Sequence, residues 1–145
     1  MMPTPPTTVL QGGRAKAYRP IPAADRQSAF AAAIAAYERG DYFEAHELLE
    51  PAWMGTADIG ERELYQGLIK VAAAFVHGVR GNPRGIARNL EGARARLVSA
   101  IDSGAAAGDI DLVALVAEVD DRLARLAADP TDQTLTAPAL RRTIP

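Results

Sequence analysis

Apolar residues recur at helical spacing over most of the chain, and this pattern predicts five helices. One example is the set Phe30, Ala33, Ile34 and Tyr37, because positions i, i+3, i+4 and i+7 form one stripe on a helix. The predicted helices span about 24–39, 42–54, 61–80, 83–101 and 109–126. Short linkers favour antiparallel packing of neighbouring helices. We therefore predict an all-α fold, a compact and largely antiparallel bundle of about five helices.

The third predicted helix carries the widest apolar arc, which is typical of the central helix of a bundle. Small residues line another of its sides, at Gly67, Ala74 and Gly78. Small side chains let a neighbouring backbone come close. We therefore expect this helix to lie at the centre, with one neighbour packed tightly against it.

Capping residues predict several of the helix ends. Gly40 is typical of a helix end, and Asp41 can cap the second helix by accepting a backbone N–H. Asn82 followed by Pro83 is the favoured order for the start of the fourth helix. Pro51 lies inside the second helix, where it removes one backbone hydrogen bond and predicts a kink.

The two ends of the chain differ from the helical middle. Residues 1–22 carry five of the ten prolines and predict an irregular, extended arm. Residues 23–128 form the predicted single helical domain, and residues 129–145, with three prolines, form an irregular tail. Termini without periodic apolar patterns seldom pack, so we expect residues 1–17 and 134–145 to be the most mobile.

Charge balance and the lack of cysteine narrow the classes of function. The formal net charge is −2, with Lys+Arg 16 and Asp+Glu 18, whereas nucleic-acid binders usually show a basic excess. The chain has no cysteine, which excludes disulfides and thiolate ligands and suits the cytoplasm. No apolar run approaches the ~18 residues of a membrane span, and the start lacks the pattern of a secretory signal. We expect a cytoplasmic protein with neither a membrane nor a nucleic-acid partner, and its alanine-rich faces would suit a homodimer.

The densest set of polar side chains lies on the second predicted helix. At 100° per residue, His46, Glu50 and Trp53 follow one line at the edge of the apolar face, and Glu47 points closer to solvent. A His and a Glu at i, i+4 can ligate one metal ion, or the Glu can orient the imidazole for acid–base chemistry. A half-buried His–Glu hydrogen bond that only seats the helix explains these residues equally well. The pattern differs from the zinc-protease motif H-E-x-x-H, so no peptidase is inferred.

The third predicted helix adds a second polar line, with Gln66, Lys70 and His77 at i, i+4 and i+11. If the second and third helices pack antiparallel, this line faces His46 and Glu50. Such a cleft suits a divalent cation or a small polar ligand, and a hydrolase is one function that it would serve. His77 taken alone is better explained as a solvent-edge residue near a helix end, where the helix dipole favours it. The predicted ligand or metal site comprises His46, Glu47, Glu50, Gln66 and His77, with Trp53 as its wall and His46, Glu50 and His77 as metal ligands.

The start of the fourth helix offers an anion site at Asn82 and Arg84. Free backbone N–H groups beside an arginine can hold a phosphate or a carboxylate. A plain helix–helix turn explains the same residues and is favoured, because Asn and Pro are typical capping residues.

Three motifs, taken in order, resemble the signature of domain-of-unknown-function family 309. They are His46-Glu47-x-x-Glu50-x-x-Trp53, Gln66-Gly67-Leu68-Ile69, and Gly81-Asn82 with Gly85, and the resemblance covers about residues 30–97. It implies a compact helical fold of bacterial and archaeal proteins, without an established activity. Pro51 departs from the family's pattern, which favours a helix former there. The matching polar signature positions are His46, Glu47, Glu50, Gln66 and Asn82.

Two other classes of function stay open. Residues 37–45, with Tyr37, Gly40, Asp41, Tyr42 and Ala45, resemble the turn of a tetratricopeptide repeat, which would suit a protein-interaction module. No second copy follows about 34 residues later, and a solenoid needs roughly three repeats. A nucleic-acid-associated protein would use Arg80, Arg84, Arg88, Arg94 and Arg96. We favour the ligand-binding class, because polar groups beside an apolar face cost free energy unless they are paired.

Overall fold

A computed structural model describes residues 8–11, 14–17, 20–76 and 83–143. The helices are α1 (Ala23–Glu38), α2 (Tyr42–Met54), α3 (Ile59–Phe75), α4 (Pro83–Asp102) and α5 (Leu112–Ala128). The predicted all-α class is therefore confirmed. The sequence placed the end of the third helix at Arg80 and the cap of the fourth at Asn82, and both residues lie outside the described ranges. None of the described helices has the length and apolar character needed to cross a membrane.

Part of the N-terminal arm forms two short strands, β1 (Thr8–Gln11) and β2 (Arg14–Ala17). They pair antiparallel, with Thr8 opposite Ala17 and Gln11 opposite Arg14. We predicted extended chain here but not its pairing. The two consecutive glycines between the strands are a hairpin signal that could have revealed it.

Aspartates begin three of the helices. The carboxylates of Asp41, Asp58 and Asp111 each accept the backbone N–H of the residue three positions later, at 3.1, 2.8 and 2.9 Å. These bonds satisfy N–H groups that have no partner within the helix. The predicted cap at Asp41 is confirmed. The predicted start of the fifth helix at Asp109 was wrong, because Asp111 caps α5 and the backbone at Ile110 bridges to Arg142 instead.

Helix α3 is the most buried of the five, with eleven of its 17 residues buried. It packs against α2 on one side and α4 on another, while α1 packs on α2 and α5 on α4. Helix α4 comes close to α3 at Gly67, where an added Cβ would lie 2.8 Å from Leu97 Cγ. The predicted central position of this helix is confirmed, and so is the close approach at Gly67, whereas Gly78 lies outside the described residues.

The C-terminal tail is irregular, but it packs on the helices. Leu135 and Leu140 are only 5% and 6% exposed and belong to the core, and Pro138 is fully buried. The Tyr37 hydroxyl donates a hydrogen bond of 2.6 Å to the Pro138 carbonyl, and Arg122 Nε donates one of 3.1 Å to the Thr136 carbonyl. The expectation that the tail does not pack was therefore wrong for residues 134–143. These apolar residues lack periodicity because an extended segment, not a helix, carries them into the core.

The Gly67 contact predicts opposite effects for two glycine-to-alanine changes at the α3–α4 interface. Gly67→Ala gains roughly 1 kcal/mol of helix propensity but overpacks Leu97, which costs about 1–3 kcal/mol. We expect its free energy of unfolding to fall by about 1 kcal/mol in urea titrations. Gly92→Ala is the matched control, because its added methyl meets the flexible stem of Lys70 at 3.0 Å. That change should be neutral or stabilising, and equal effects of the two would contradict the packing described.

The packed tail predicts that Leu140→Ala destabilises the protein. Leu140 borders the same small cavity as Ile34, Tyr37 and Leu49, so truncation would enlarge a void inside the core. We expect a loss of about 2–5 kcal/mol in the free energy of unfolding, measured by chemical denaturation. Val113→Ala, at a position 66% exposed on α5, should cost less than about 0.5 kcal/mol. A tail that does not pack would make both changes equally mild.

Candidate functional site

Helix α2 brings His46, Glu47 and Glu50 together on its surface. Each offers one ligand atom, and these atoms all lie within 4.8 Å of one another. Helical spacing brings Glu50 near both His46 and Glu47, since positions three and four apart are neighbours on one face, and His46 and Glu47 are adjacent in the chain. His46 and Glu50 are half-buried, and Glu47 is exposed as predicted. The three residues, called here the His/Glu cluster, are the only such group of His, Cys, Asp and Glu in the described ranges.

Within the His/Glu cluster, the imidazole has two carboxylates as neighbours. His46 Nδ1 is 3.4 Å from Glu47 Oε1, with the two side chains 26% and 56% exposed. Helix α2 continues through Pro51 to Met54, so the cluster stands on helical backbone throughout. An imidazole nitrogen with two carboxylates is a donor set for a divalent cation, and a carboxylate beside imidazole also suits proton transfer.

Two other residues of the predicted site, Trp53 and Gln66, are more deeply buried than the His/Glu cluster. Trp53 is 2% exposed and belongs to the hydrophobic core. Gln66 is 5% exposed, and its Oε1 has no hydrogen-bond partner among the described residues. Such an atom is rare in folded proteins and points to a water, an ion or another polar group beside it. His77 and Asn82 lie outside the described ranges, so their part in the predicted sites stays a prediction.

The polar line predicted along α3 lies partly against α4. The stem of Lys70 lies alongside Gly92 of α4. On α4 itself, Arg94 pairs with Asp120 at 2.6 Å and Arg96 with Glu63 at 3.0 Å. These acidic partners compensate two of the arginines that a nucleic-acid surface would use. Arg84 and Arg88 are exposed, and Arg80 lies outside the described residues.

A second polar network joins the start of α1 to the start of α3. Arg26 Nε donates to Glu61 Oε1 at 2.6 Å, and the Tyr65 hydroxyl donates to the same oxygen at 2.7 Å. Thr56 Oγ1 donates to Glu61 Oε2 at 3.2 Å, and Arg26 also donates to the Ile21 carbonyl. Sequence reasoning missed this network, because its residues stand as many as 39 positions apart and form no motif.

The network shifts the pKa of its members. Burial alone would raise the pKa of Glu61, but hydrogen bonds from Arg26, Tyr65 and Thr56 outweigh it and hold that pKa below its usual range. Burial and the hydrogen bond to Glu61 raise the pKa of Tyr65. The hydrogen bond to Glu61 raises the pKa of Arg26 above its ordinary value. Glu61 and Arg26 therefore stay charged and paired at neutral pH.

Fold and site together define a class, a small all-α protein with a His/Glu cluster on its second helix. A sequence model of the family described as "Domain of unknown function (DUF309)" matches residues 30–89. The resemblance inferred from the motifs is therefore confirmed over this segment, which contains the whole cluster and Gln66. No curated protein and no solved structure matches the chain.

The lowered pKa of Glu61 predicts that the network contributes stability that acid removes. A carboxyl group whose pKa is lowered by folding stabilises the protein at pH values above the pKa that the group has in the unfolded chain. This contribution disappears as the pH falls through the pKa of the group in the folded protein. We expect Glu61→Gln to lower the free energy of unfolding by ~1–3 kcal/mol near pH 7, because the partners of Glu61 are half-buried or buried. The difference from wild type should shrink toward pH ~3.

Glu44→Gln is the control for this experiment, since Glu44 pairs with Arg39 and both side chains are about half exposed. Its effect should stay below about 1 kcal/mol at any pH. Denaturant titrations of the three proteins at both pH values decide the outcome. A Glu61→Gln deficit that is the same at low and neutral pH would contradict the assigned pKa shift.

Proposed function

We propose that the His/Glu cluster binds a divalent metal ion and that the protein acts through this ion on a small polar ligand. The observation that carries the proposal is the closeness of the three ligand atoms, all within 4.8 Å. Two ligand atoms on a tetrahedral zinc ion at ~2.0–2.2 Å lie roughly 3.3–3.6 Å apart. Side-chain shifts of about 1 Å would therefore bring His46, Glu47 and Glu50 onto one ion.

The chemistry of the donors indicates which ions to test. One imidazole and two carboxylates suit Zn²⁺, Fe²⁺ and Mn²⁺ better than Mg²⁺, which prefers oxygen ligands. Three protein ligands leave coordination positions for water or for a ligand, and this is the arrangement of catalytic metal sites. Hydrolysis is accordingly the class of reaction that we propose.

Two further residues of the proposed site come from the sequence. Gln66 would supply an amide, and the lack of a described partner for its buried Oε1 is compatible with a group beside it. His77 would supply a second imidazole, as the helical spacing of the third helix suggests. We propose that these residues face the cluster across the contact between α2 and α3, in a cytoplasmic protein.

Metal binding by tag-free protein tests the proposal. We expect Zn²⁺ or Mn²⁺ to bind at a 1:1 ratio in isothermal titration, and elemental analysis after dialysis to find the ion retained. His46→Ala or Glu50→Gln should weaken binding by more than ~100-fold, because even residues that only support metal ligands account for 10–100-fold. Glu44→Gln, which removes the same charge from α2 at a position outside the cluster, should bind as wild type does.

Circular dichroism of each variant separates lost binding from lost folding. Unchanged helix content with lost binding supports a metal site. If wild type binds neither ion, or if the cluster variants bind as tightly as wild type, the cluster is a structural feature of α2 and the proposal is wrong. In that case His46→Ala should show only a change of stability, of about 1–3 kcal/mol.

A further inference from the structure

A line of polar side chains runs along one edge of α3. Arg62, Gln66 and Lys70 stand four residues apart, so they share one side of the helix. The first and third are half-buried cations, and the second is a buried amide. We propose that these three residues, called here the α3 edge, bind a small phosphate-bearing ligand through the ammonium group of Lys70 and the amide of Gln66. The proposal names a ligand class for the proposed metal site, and it rests on that proposed function only for what the metal does to the ligand.

The cations of the α3 edge have no acidic partner. Neither Arg62 nor Lys70 forms an ion pair in the part of the chain that the structure describes, although both are half-buried. By contrast, the two glutamates of α3 are each paired with an arginine of a neighbouring helix. A charged group that is partly removed from water is costly unless an opposite charge lies beside it. These two cations therefore favour an anion as their partner.

Helix α4 leaves room for the side chain of Lys70. A Cβ added at Gly92 would lie 3.0 Å from Lys70 Cδ and 3.4 Å from Lys70 Nζ, so a larger residue there would press on this side chain. Glycine in the middle of a helix costs stability relative to alanine. Here the glycine keeps space for the ammonium group against α4. None of the three donors of that group has an acceptor among the described residues.

The buried amide of Gln66 is a second and independent sign of a ligand. Gln66 is 5% exposed, and its Oε1 has no hydrogen-bond partner among the described residues. Because buried polar atoms are almost always paired, this atom points to a polar group beside it. An amide both donates and accepts, so its full pairing needs a ligand that has an acceptor and a donor. The monoanion of a phosphate ester has a hydroxyl group beside its charged oxygens, whereas an ionised carboxylate only accepts. The amide therefore favours phosphate.

The α3 edge lies level with the His/Glu cluster. Tyr42 is the first residue of α2 and Phe75 the last of α3, and the centroids of their rings are 6.2 Å apart, so the two helices run antiparallel. Glu50 and Gln66 lie almost the same number of residues from these two ends, which places them at the same height. A divalent ion at the cluster would cancel the charge of its two carboxylates, so they would not repel the anion. We therefore expect the ion to strengthen binding of the phosphate group.

Nuclear magnetic resonance titration of ¹⁵N-labelled, metal-free, full-length protein tests this inference. The probes are methyl phosphate and methyl sulfate, which have the same shape, although only the phosphate has a monoanion with a hydroxyl group. We expect methyl phosphate to shift the amides of residues 66–70 and of Gly92 saturably in the millimolar range, and to bind roughly tenfold more tightly than methyl sulfate. No saturable shift with methyl phosphate, or equal binding of the two probes, would overturn the proposal.

Two variants localise the binding. Lys70→Met removes the charge and keeps an unbranched apolar stem along α4. Gln66→Met removes the amide and should keep the fold, because it also removes an unpartnered buried oxygen. We expect each to weaken methyl phosphate binding by roughly tenfold or more. Arg84→Met is the matched control, because Arg84 is an exposed cation near the start of α4 and outside the α3 edge. Wild-type affinity in either α3 variant, or an equal loss in Arg84→Met, would place the binding elsewhere.

A phosphate group could come from a small free ester or from a phosphorylated polypeptide. We favour the small ester, because Gln66 is only 5% exposed and a bulky body would keep the phosphate away from it. Nα-acetyl-phosphoserine N-methylamide carries the same group on a peptide-like body. Weaker binding of this probe than of methyl phosphate supports the small ester, and tighter binding would overturn that assignment.

Isothermal titration with and without Mn²⁺ separates this inference from the proposed function. We expect saturating Mn²⁺ to raise the affinity for methyl phosphate, and Lys70→Met to bind Mn²⁺ alone as wild type does. If no ion binds, saturable binding of methyl phosphate to the metal-free protein still supports the α3 edge, and only the proposed function fails. If the ion binds and methyl phosphate does not, only this inference fails. An affinity for methyl phosphate that bound Mn²⁺ leaves unchanged would overturn the assignment of this ligand to the metal site.

Discussion

The packing of α3 against α4 at Gly67 is the constraint on which the rest of the fold depends. With no side chain at position 67, Leu97 of α4 sits directly against the backbone of α3. The approach leaves α3 enclosed by its neighbours, and Gln66 is its one buried polar side chain. Its charged side chains lie toward its start or along its edge, where Glu61 and Glu63 meet arginines from α1 and α4, and Lys70 runs along α4. Close packing of the α3 backbone thus restricts where its charged groups lie.

Long-range arginine contacts hold the irregular segments to this helical core. Arg26 ties the start of α1 to α3, Arg122 and Arg125 hold the tail on α5, and Arg142 pairs with Glu38 and Asp109. A planar guanidinium can donate to a carboxylate and to backbone carbonyls together, which suits segments without regular structure. The tail can therefore bury Leu135 and Leu140 although it forms no helix.

How far the sequence predicted this structure depends on the range of each interaction. The helices, the Asp41 cap and the His/Glu cluster follow from spacing within a few residues, and helical periodicity was enough to find them. In the network, Arg26 and Glu61 are 35 positions apart in the sequence. In the buried tail, Pro138 contacts Tyr37, which is 101 positions away. No local pattern encodes such contacts. The predicted start of α5 was wrong for the same reason. Asp109 and Ile110, which precede the helix, are held by Arg142 of the distant tail.

The His/Glu cluster and the Arg26–Glu61 network differ in what their existence requires. The His/Glu cluster is built by one helix and lies inside the matched segment, residues 30–89, so it requires only that α2 folds. The network requires α1 and α3 to pack together, and Arg26 lies outside that segment. A change that loosens the contact between α1 and α3 would therefore disturb the network before the cluster, because the cluster needs only the geometry of a single helix.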